Sequence, residues 1–227
     1  MKKTAAYFFI ILSTGLIFPQ FIHAGGGKFE GIITYNITFP NSNLPAEQLA
    51  MFPKNSTLSV KGTSTRNESA SAMGNMIEII NYDKKFTVTL LDMMGKKLAI
   101  KKTLDEINSS LGKDPKPAIQ ITDETKDIAG YKCRKAIITI SKNGTKNSFE
   151  TWYTSELGGK ESNFGNPLYQ DIDGMLMEFT FQERTLTMKY SVSKVEKKDI
   201  PDSMFEIPAD YKLTTTEELK SMFGGGM

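Results

Sequence analysis

Residues 28–39, KFEGIITYNITF, alternate between apolar and polar side chains with the two-residue period of a β-strand. The intervening positions carry mainly polar or small side chains, including Glu30, Thr34 and Asn36. The stretch therefore predicts a strand that packs one side against a core. The apolar side consists of Phe29, Ile33, Tyr35, Ile37 and Phe39.

Strand patterns also dominate the rest of the chain. The dipeptide Asn143-Gly144 is typical of a tight hairpin turn, and Asp83 and Lys84 lie near a second turn. Such short connections join antiparallel neighbours. The predicted strands after the first occupy 56–69 (one or two strands), 75–83, 84–92, 96–102, 118–122, 131–141, 146–154, 174–181 and 184–195.

Helical signals are few and short. Residues 45–52 begin with Pro45, which suits a first helical turn, and residues 103–111 begin with a capping box of Thr103 and Glu106. A last short helix is predicted over 216–223. The fold class is therefore mainly β (α+β): an antiparallel sheet built from hairpins, with about two short helices inserted.

The first 24 residues have the layout of a secretory leader. A charged start is followed by an apolar run from Ala5 to Phe18, which is shorter than the ~20 residues that span a membrane, and Ala24 occupies a cleavage position. No lipidation cysteine follows it. We expect a soluble periplasmic protein without a lipid anchor: a leader over 1–24, a flexible 25–27, one domain over 28–223 and a flexible tail over 224–227.

Removal of the leader restricts the chemistry of the mature chain. It takes away His23, the only histidine. It also removes two lysines, and the loss of their charges brings the net charge from +2 to zero. Histidine-dependent nucleophilic mechanisms and the commonest transition-metal ligand are then missing. Zero net charge gives no support to nucleic-acid binding. We expect no catalytic set, no metal site, no cofactor and no nucleic-acid partner.

Cys133 is the only cysteine, in the segment DIAGYKCRKAIITI (127–140). Tyr131 and Cys133 are out of phase by one residue with the apolar set that begins at Ala136, and a β-bulge near Arg134-Lys135 would place both sets on one face. The alternative is a thiol activated by the neighbouring Lys132 and Arg134. With no histidine as base, the pattern favours a buried structural cysteine.

Four stretches taken in order resemble a family of exported Gram-negative proteins, the domain-of-unknown-function 4412 family, grouped with the LolA-like lipoprotein carriers. The resemblance implies a strongly curved antiparallel sheet, a half-barrel, with short helices on its concave side. Carriers of that fold hold acyl chains between sheet and helices. The stretches are NYDKKFTVTLLDMMGKKLAI (81–100), TKDIAGYKCRKAIITI (125–140), TWYTSEL (151–157) and IPDSMFEIPADYK (200–212).

Two functions remain open, and neither is enzymatic. In the first, the concave side binds a lipid, an acyl chain or another apolar ligand. In the second, the protein is an envelope interaction module that docks to a protein partner, and its own side chains fill the concave side. The sequence sets neither the ligand nor the oligomeric state. The candidate lining residues, chosen for size and strand position, are Tyr35, Phe86, Trp152 and Phe179.

Overall fold

A computed structural model describes residues 29–111, 116–142, 145–183 and 186–222. The predicted leader, the predicted flexible ends and the predicted turn at Asn143-Gly144 lie outside these residues. The chain is mainly β: twelve strands form one sheet, with few helices. The strands are β1 (Glu30–Thr38), β2 (Asn55–Lys61), β3 (Ser64–Ser71), β4 (Gly74–Asn81), β5 (Phe86–Met93), β6 (Lys96–Thr103), β7 (Ala118–Ile128), β8 (Tyr131–Lys142), β9 (Thr145–Thr154), β10 (Met175–Glu183), β11 (Leu186–Lys197) and β12 (Lys212–Thr214).

The sheet is two meanders joined at one seam. Strands β1 to β6 lie side by side in chain order, as do β7 to β11, and β1 pairs with β11. All these pairs are antiparallel, as predicted. The short β12 instead runs parallel to β6, so the sheet is mixed. Strand β12 was not predicted because three residues are too few to show an alternating pattern.

Strand β1 shows the predicted alternation and defines the two faces of the sheet. Ile33, Tyr35 and Ile37 are buried on one face, which we call the Tyr35 face. Register across β2 and β3 places Ile79 of β4 on the opposite face, which we call the Ile79 face. Both faces carry buried residues because each is covered by a different part of the chain.

The Tyr35 face is covered by residues 155–173, which we call the cover segment. It contains 3₁₀ turns at Ser155–Leu157 and Lys160–Asn163. Its Tyr169 ring packs on Phe179 of β10 at 5.6 Å between centroids. At Gly165 of the same segment, a Cβ would lie 3.2 Å from Thr87 of β5. The cover segment therefore contacts both halves of the sheet.

The Ile79 face is covered by residues 198–211, which we call the strap. Its Phe205, Ile207 and Tyr211 pack on the cluster around Ile79 and Leu90. Polar contacts fix it at intervals: Lys61 donates to the Ile200 carbonyl at 2.8 Å, Arg66 donates to the Met204 carbonyl at 3.0 Å, and Lys97 pairs with Asp210 at 2.7 Å. The strap thus crosses β1 to β6 and delivers the chain to β12.

The three predicted helices are present as α1 (Ala46–Leu49), α2 (Leu104–Leu111) and α3 (Thr216–Met222). Before α2, the Glu106 carboxylate accepts from the Thr103 backbone N–H at 2.7 Å, one half of the predicted capping box. Ile107 of α2 is buried, and the helix packs against β6. Within the described ranges, each helix is too short or too polar to cross a lipid bilayer.

Candidate functional site

Two of the four candidate residues, Tyr35 and Phe179, contact each other on the Tyr35 face. Their ring centroids are 5.8 Å apart, and Tyr190 stacks on Phe179 at 4.8 Å. The Tyr35 hydroxyl donates to the Leu176 carbonyl at 2.8 Å, and burial raises its pKa far above the usual range. Tyr35 is only 4% exposed. These rings fill space between the sheet and the cover segment.

Trp152 of β9 belongs to the same core cluster as Tyr35, and charged side chains lie over its ring. The Lys126 ammonium lies 4.3 Å from the ring centroid and 3.0 Å from the Glu178 carboxylate, which also pairs with Lys189 at 3.1 Å. The two lysines lower the pKa of Glu178, although its partial burial acts in the opposite direction. The tryptophan is therefore covered by an ion-pair network.

Phe86, the fourth candidate, lines a groove between the strap and the sheet, which we call the strap groove. The structure thus places Tyr35, Trp152 and Phe179 in or against one core cluster and places Phe86 elsewhere. The groove has a volume of about 590 Å³, within the range of small-molecule sites. Its lining residues are Ser64, Asn81, Lys84, Phe86, Lys101, Asp202, Phe205, Glu206 and Ile207.

The strap groove combines aromatic rings with hydrogen-bonding groups. Phe86 comes from the sheet and Phe205 from the strap, and the Lys101 ammonium lies 4.5 Å from the Phe86 centroid. Asn81 supplies an amide that also bonds to the Ser64 hydroxyl, Asp202 supplies a carboxylate that pairs with Lys61 at 2.7 Å, and Glu206 supplies a second carboxylate. Such a lining offers apolar surface and both donors and acceptors to a polar ligand.

A smaller pocket, which we call the aromatic pocket, lies between the β4–β5 turn and the cover segment. Its volume is about 240 Å³. The Tyr82 and Phe164 rings meet edge-to-face at 5.5 Å, and the Lys85 ammonium lies 3.1 Å from the Tyr82 centroid. The remaining lining residues are Leu104, Lys160, Gln170 and Asp171.

Sequence reasoning missed the strap side of the groove. Phe205 and Glu206 lie in a stretch without a helix or strand period, so only the proximity of the strap to β3–β6 in the fold brings them to Phe86. A weak signal exists in the sequence, since Ile79, Phe86 and Val88 are apolar residues of predicted strands and must be covered by another part of the chain. Among the described residues, no group of three or more His, Cys, Asp or Glu side chains is placed to hold a metal ion.

Cys133 is fully buried, which confirms the structural interpretation. The predicted bulge at Arg134-Lys135 is wrong: β8 pairs with β9 without interruption, and the irregularity lies in β7, between Ile121 and Thr125. No bulge is needed because Cys133 and Ala136 are buried in different core clusters. Burial raises the pKa of the thiol to about 11, so it is protonated near neutral pH.

Cys133→Ala is expected to leave ligand binding unchanged and to lower the free energy of unfolding by about 1–2 kcal/mol, through a small cavity. Chemical denaturation of the unchanged protein and of Cys133→Ala measures the difference in the free energy of unfolding. In the native protein, a water-soluble thiol reagent should react with Cys133 only on unfolding. Labelling that is as fast as in denaturant would contradict this.

Residues 50–207, more than half of the chain, match the family described as "N-glycanase peptide, N-terminal domain". This match overturns the resemblance to the domain-of-unknown-function 4412 and LolA-like families, and with it the expectation of lipid binding. Three of the four stretches that carried the resemblance lie in strands and turns, and short strand patterns recur in unrelated sheets. No curated protein matches the chain.

Proposed function

The chain belongs to the family of N-glycanase N-terminal domains, and from this premise we propose that it is a non-catalytic binding domain that holds the glycan of an N-linked glycopeptide in the strap groove. The name of the family refers to enzymes that act on such glycans. The proposal assigns this chain recognition and no chemical step.

The observation that carries the proposal is the lining of the groove. A sugar ring has apolar C–H faces and a rim of hydroxyl groups, and each hydroxyl donates and accepts hydrogen bonds. Phe86 and Phe205 offer ring faces or edges to the apolar part. Glu206 and Lys84 offer a carboxylate and an ammonium to the hydroxyls and to an N-acetyl group, and the Asn81 amide keeps one N–H beyond its own bonds within the chain.

The proposal also takes the sheet as a half-barrel with the cover segment on its concave side. In a flat sheet, β5 and β10 are six strand steps apart, or about 29 Å. Gly165 lies beside Thr87 of β5, yet Tyr169, four residues later, packs on Phe179 of β10. The chain between them is coiled, since Gln170 donates to the Asn166 carbonyl at 3.0 Å. Strong curvature accounts for these contacts.

An exported, periplasmic location is part of the same proposal, because the leader-like pattern of residues 1–24 is typical of secretion. A mature amino terminus near Gly25, found by amino-terminal sequencing of the native protein, is the expected result. An intact Met1 in the native protein would contradict it.

Binding is tested by calorimetric titration of the purified protein with a glycopeptide that carries one asparagine-linked oligosaccharide. Saturable binding is expected for the glycopeptide and none for the same peptide without the glycan. Phe205→Ala and Glu206→Ala are each expected to weaken binding about tenfold or more, a loss of about 1.4 kcal/mol. Glu206 is exposed, so its replacement leaves the fold intact.

The matched control is Phe181→Ala, which removes an aromatic ring that is 40% exposed on β10, outside the groove. It should bind the glycopeptide as the unchanged protein does. Equal binding by Phe205→Ala, Glu206→Ala and the unchanged protein would move the site elsewhere, and no saturable binding by the unchanged protein would end the proposal.

A further inference from the structure

The strap groove and the aromatic pocket meet at the β4–β5 turn, whose residues divide between them. Asn81, Lys84 and Phe86 line the strap groove, and Tyr82 and Lys85 line the aromatic pocket. Lys84 and Lys85 are consecutive, so their Cα atoms are about 3.8 Å apart. One turn of backbone is therefore the wall between the two cavities.

The two cavities open on opposite faces of the sheet. The strap groove lies on the Ile79 face, beneath Phe205 and Ile207. The aromatic pocket is bounded by Phe164 and Gln170 of the cover segment, which lies on the Tyr35 face. A ligand that occupies both cavities must straddle the turn, with one part on each side.

The chemistry of the aromatic pocket repeats that of the strap groove on a smaller scale. Tyr82 and Phe164 supply rings, and Lys160, Gln170 and Asp171 supply an ammonium, an amide and a carboxylate. In each cavity a lysine ammonium lies over one ring, Lys101 over Phe86 and Lys85 over Tyr82. A sugar ring that displaces either ammonium gains the ring face and leaves the lysine free to donate to its hydroxyls.

We propose that these cavities are two subsites of one site and that the ligand is a branched oligosaccharide whose two arms diverge over the β4–β5 turn. This inference rests on the proposed glycan binding and specifies its substrate class. A linear chain would have to reverse direction across the turn to fill both cavities. A branched sugar unit that lies over the β4–β5 turn can extend one arm to each face without that reversal.

Two linked subsites make the second contact intramolecular, which raises the affinity without a new kind of interaction. The branched oligosaccharide should therefore bind more tightly than either of its arms alone. We assign the added affinity to the aromatic pocket. Its volume of about 240 Å³ is smaller than that of the strap groove, so it holds the smaller part of the ligand.

The test is calorimetric titration of the full chain with a branched mannose oligosaccharide and with the linear oligosaccharide of one arm. The unchanged protein should have an affinity for the branched oligosaccharide that is at least about tenfold higher than its affinity for the linear one. In Tyr82→Ala this ratio should fall to about one, while the affinity for the linear arm is unchanged. Phe205→Ala should lower the affinity for both oligosaccharides.

Lys160→Gln provides a second variant, since Lys160 is exposed and lines the aromatic pocket, so its replacement does not endanger folding. This variant should have a severalfold lower affinity for the branched oligosaccharide and an unchanged affinity for the linear one. A ratio near one in the unchanged protein, or a ratio that Tyr82→Ala and Lys160→Gln leave intact, overturns the two-subsite arrangement and leaves the strap groove standing. Absence of any oligosaccharide binding overturns the proposed function and this inference together.

Discussion

Gly31→Ala is expected to lower the free energy of unfolding by about 3 kcal/mol or more, the largest effect we predict for one added methyl group. Gly31 lies in β1 opposite Lys197 of β11, at the seam between the two meanders. A Cβ at this position would lie 2.1 Å from the Glu196 carbonyl oxygen. Because that obstacle is backbone, relief requires the two strands to separate.

Thermal and chemical denaturation measure the loss at Gly31, and the midpoint temperature should fall by roughly 6–12 °C. The matched control is Gly130→Ala. Gly130 has φ +86° but no heavy atom within 4 Å of an added Cβ, so only the backbone conformation opposes the change. About 1–2 kcal/mol is expected there. Equal losses at the two positions would show that the seam is not closely packed at Gly31.

Tyr169→Ala is expected to cost about 3–5 kcal/mol, because it empties the largest fully buried side-chain site in the described part of the chain. The Tyr169 ring packs on Phe149 at 6.2 Å and on Phe179 at 5.6 Å, and its hydroxyl donates to the Thr180 carbonyl. It is the anchor of the cover segment on β10. Limited proteolysis should therefore cut Tyr169→Ala within residues 155–173 faster than it cuts the unchanged protein.

Tyr169→Phe separates the ring from the hydroxyl. It keeps the packing but leaves the Thr180 carbonyl and N–H without the Tyr169 hydroxyl, so about 1–3 kcal/mol is expected. Its proteolysis rate should stay close to that of the unchanged protein. If Tyr169→Ala resists proteolysis equally well, other contacts hold the cover segment and the role of Tyr169 as anchor is wrong.

The strands were predictable because side-chain alternation is a local property. Tyr35 and Ile37 are buried in β1 at the positions that the alternation indicates, and the predicted strand at 131–141 is observed as β8, Tyr131–Lys142. The helix ends were predictable for the same reason, since Thr103 and Glu106 are three residues apart and interact directly.

The faces of the strands were harder to predict where both sides are covered. The out-of-phase burial of Cys133 and Ala136 suggested a bulge because one buried face was assumed. Both sides of β8 are buried, since Cys133 lies in the core cluster of Trp152 and Ala136 lies in that of Tyr169. The strap and the cover segment have no regular period over their length, so neither was recognised from the sequence as a layer of the core.

The candidate site was predicted only in part, and the reason is distance along the chain. Phe86 was chosen for its size and does line the strap groove, but its aromatic partner Phe205 is more than a hundred residues away. Tyr35 and Phe179 were chosen on the same grounds, yet they pack on each other beneath the cover segment.

The local pattern of side chains was enough to predict the mainly β class, most strands and the three short helices, because each depends on neighbouring residues and their period. The tertiary structure alone decided the pairing of β1 with β11, the parallel β12 and the two covering layers. It also decided that the β4–β5 turn stands between two cavities, with Lys84 in one and Lys85 in the other. Those features arise where residues distant in sequence meet, and local periodicity carries no information about such contacts.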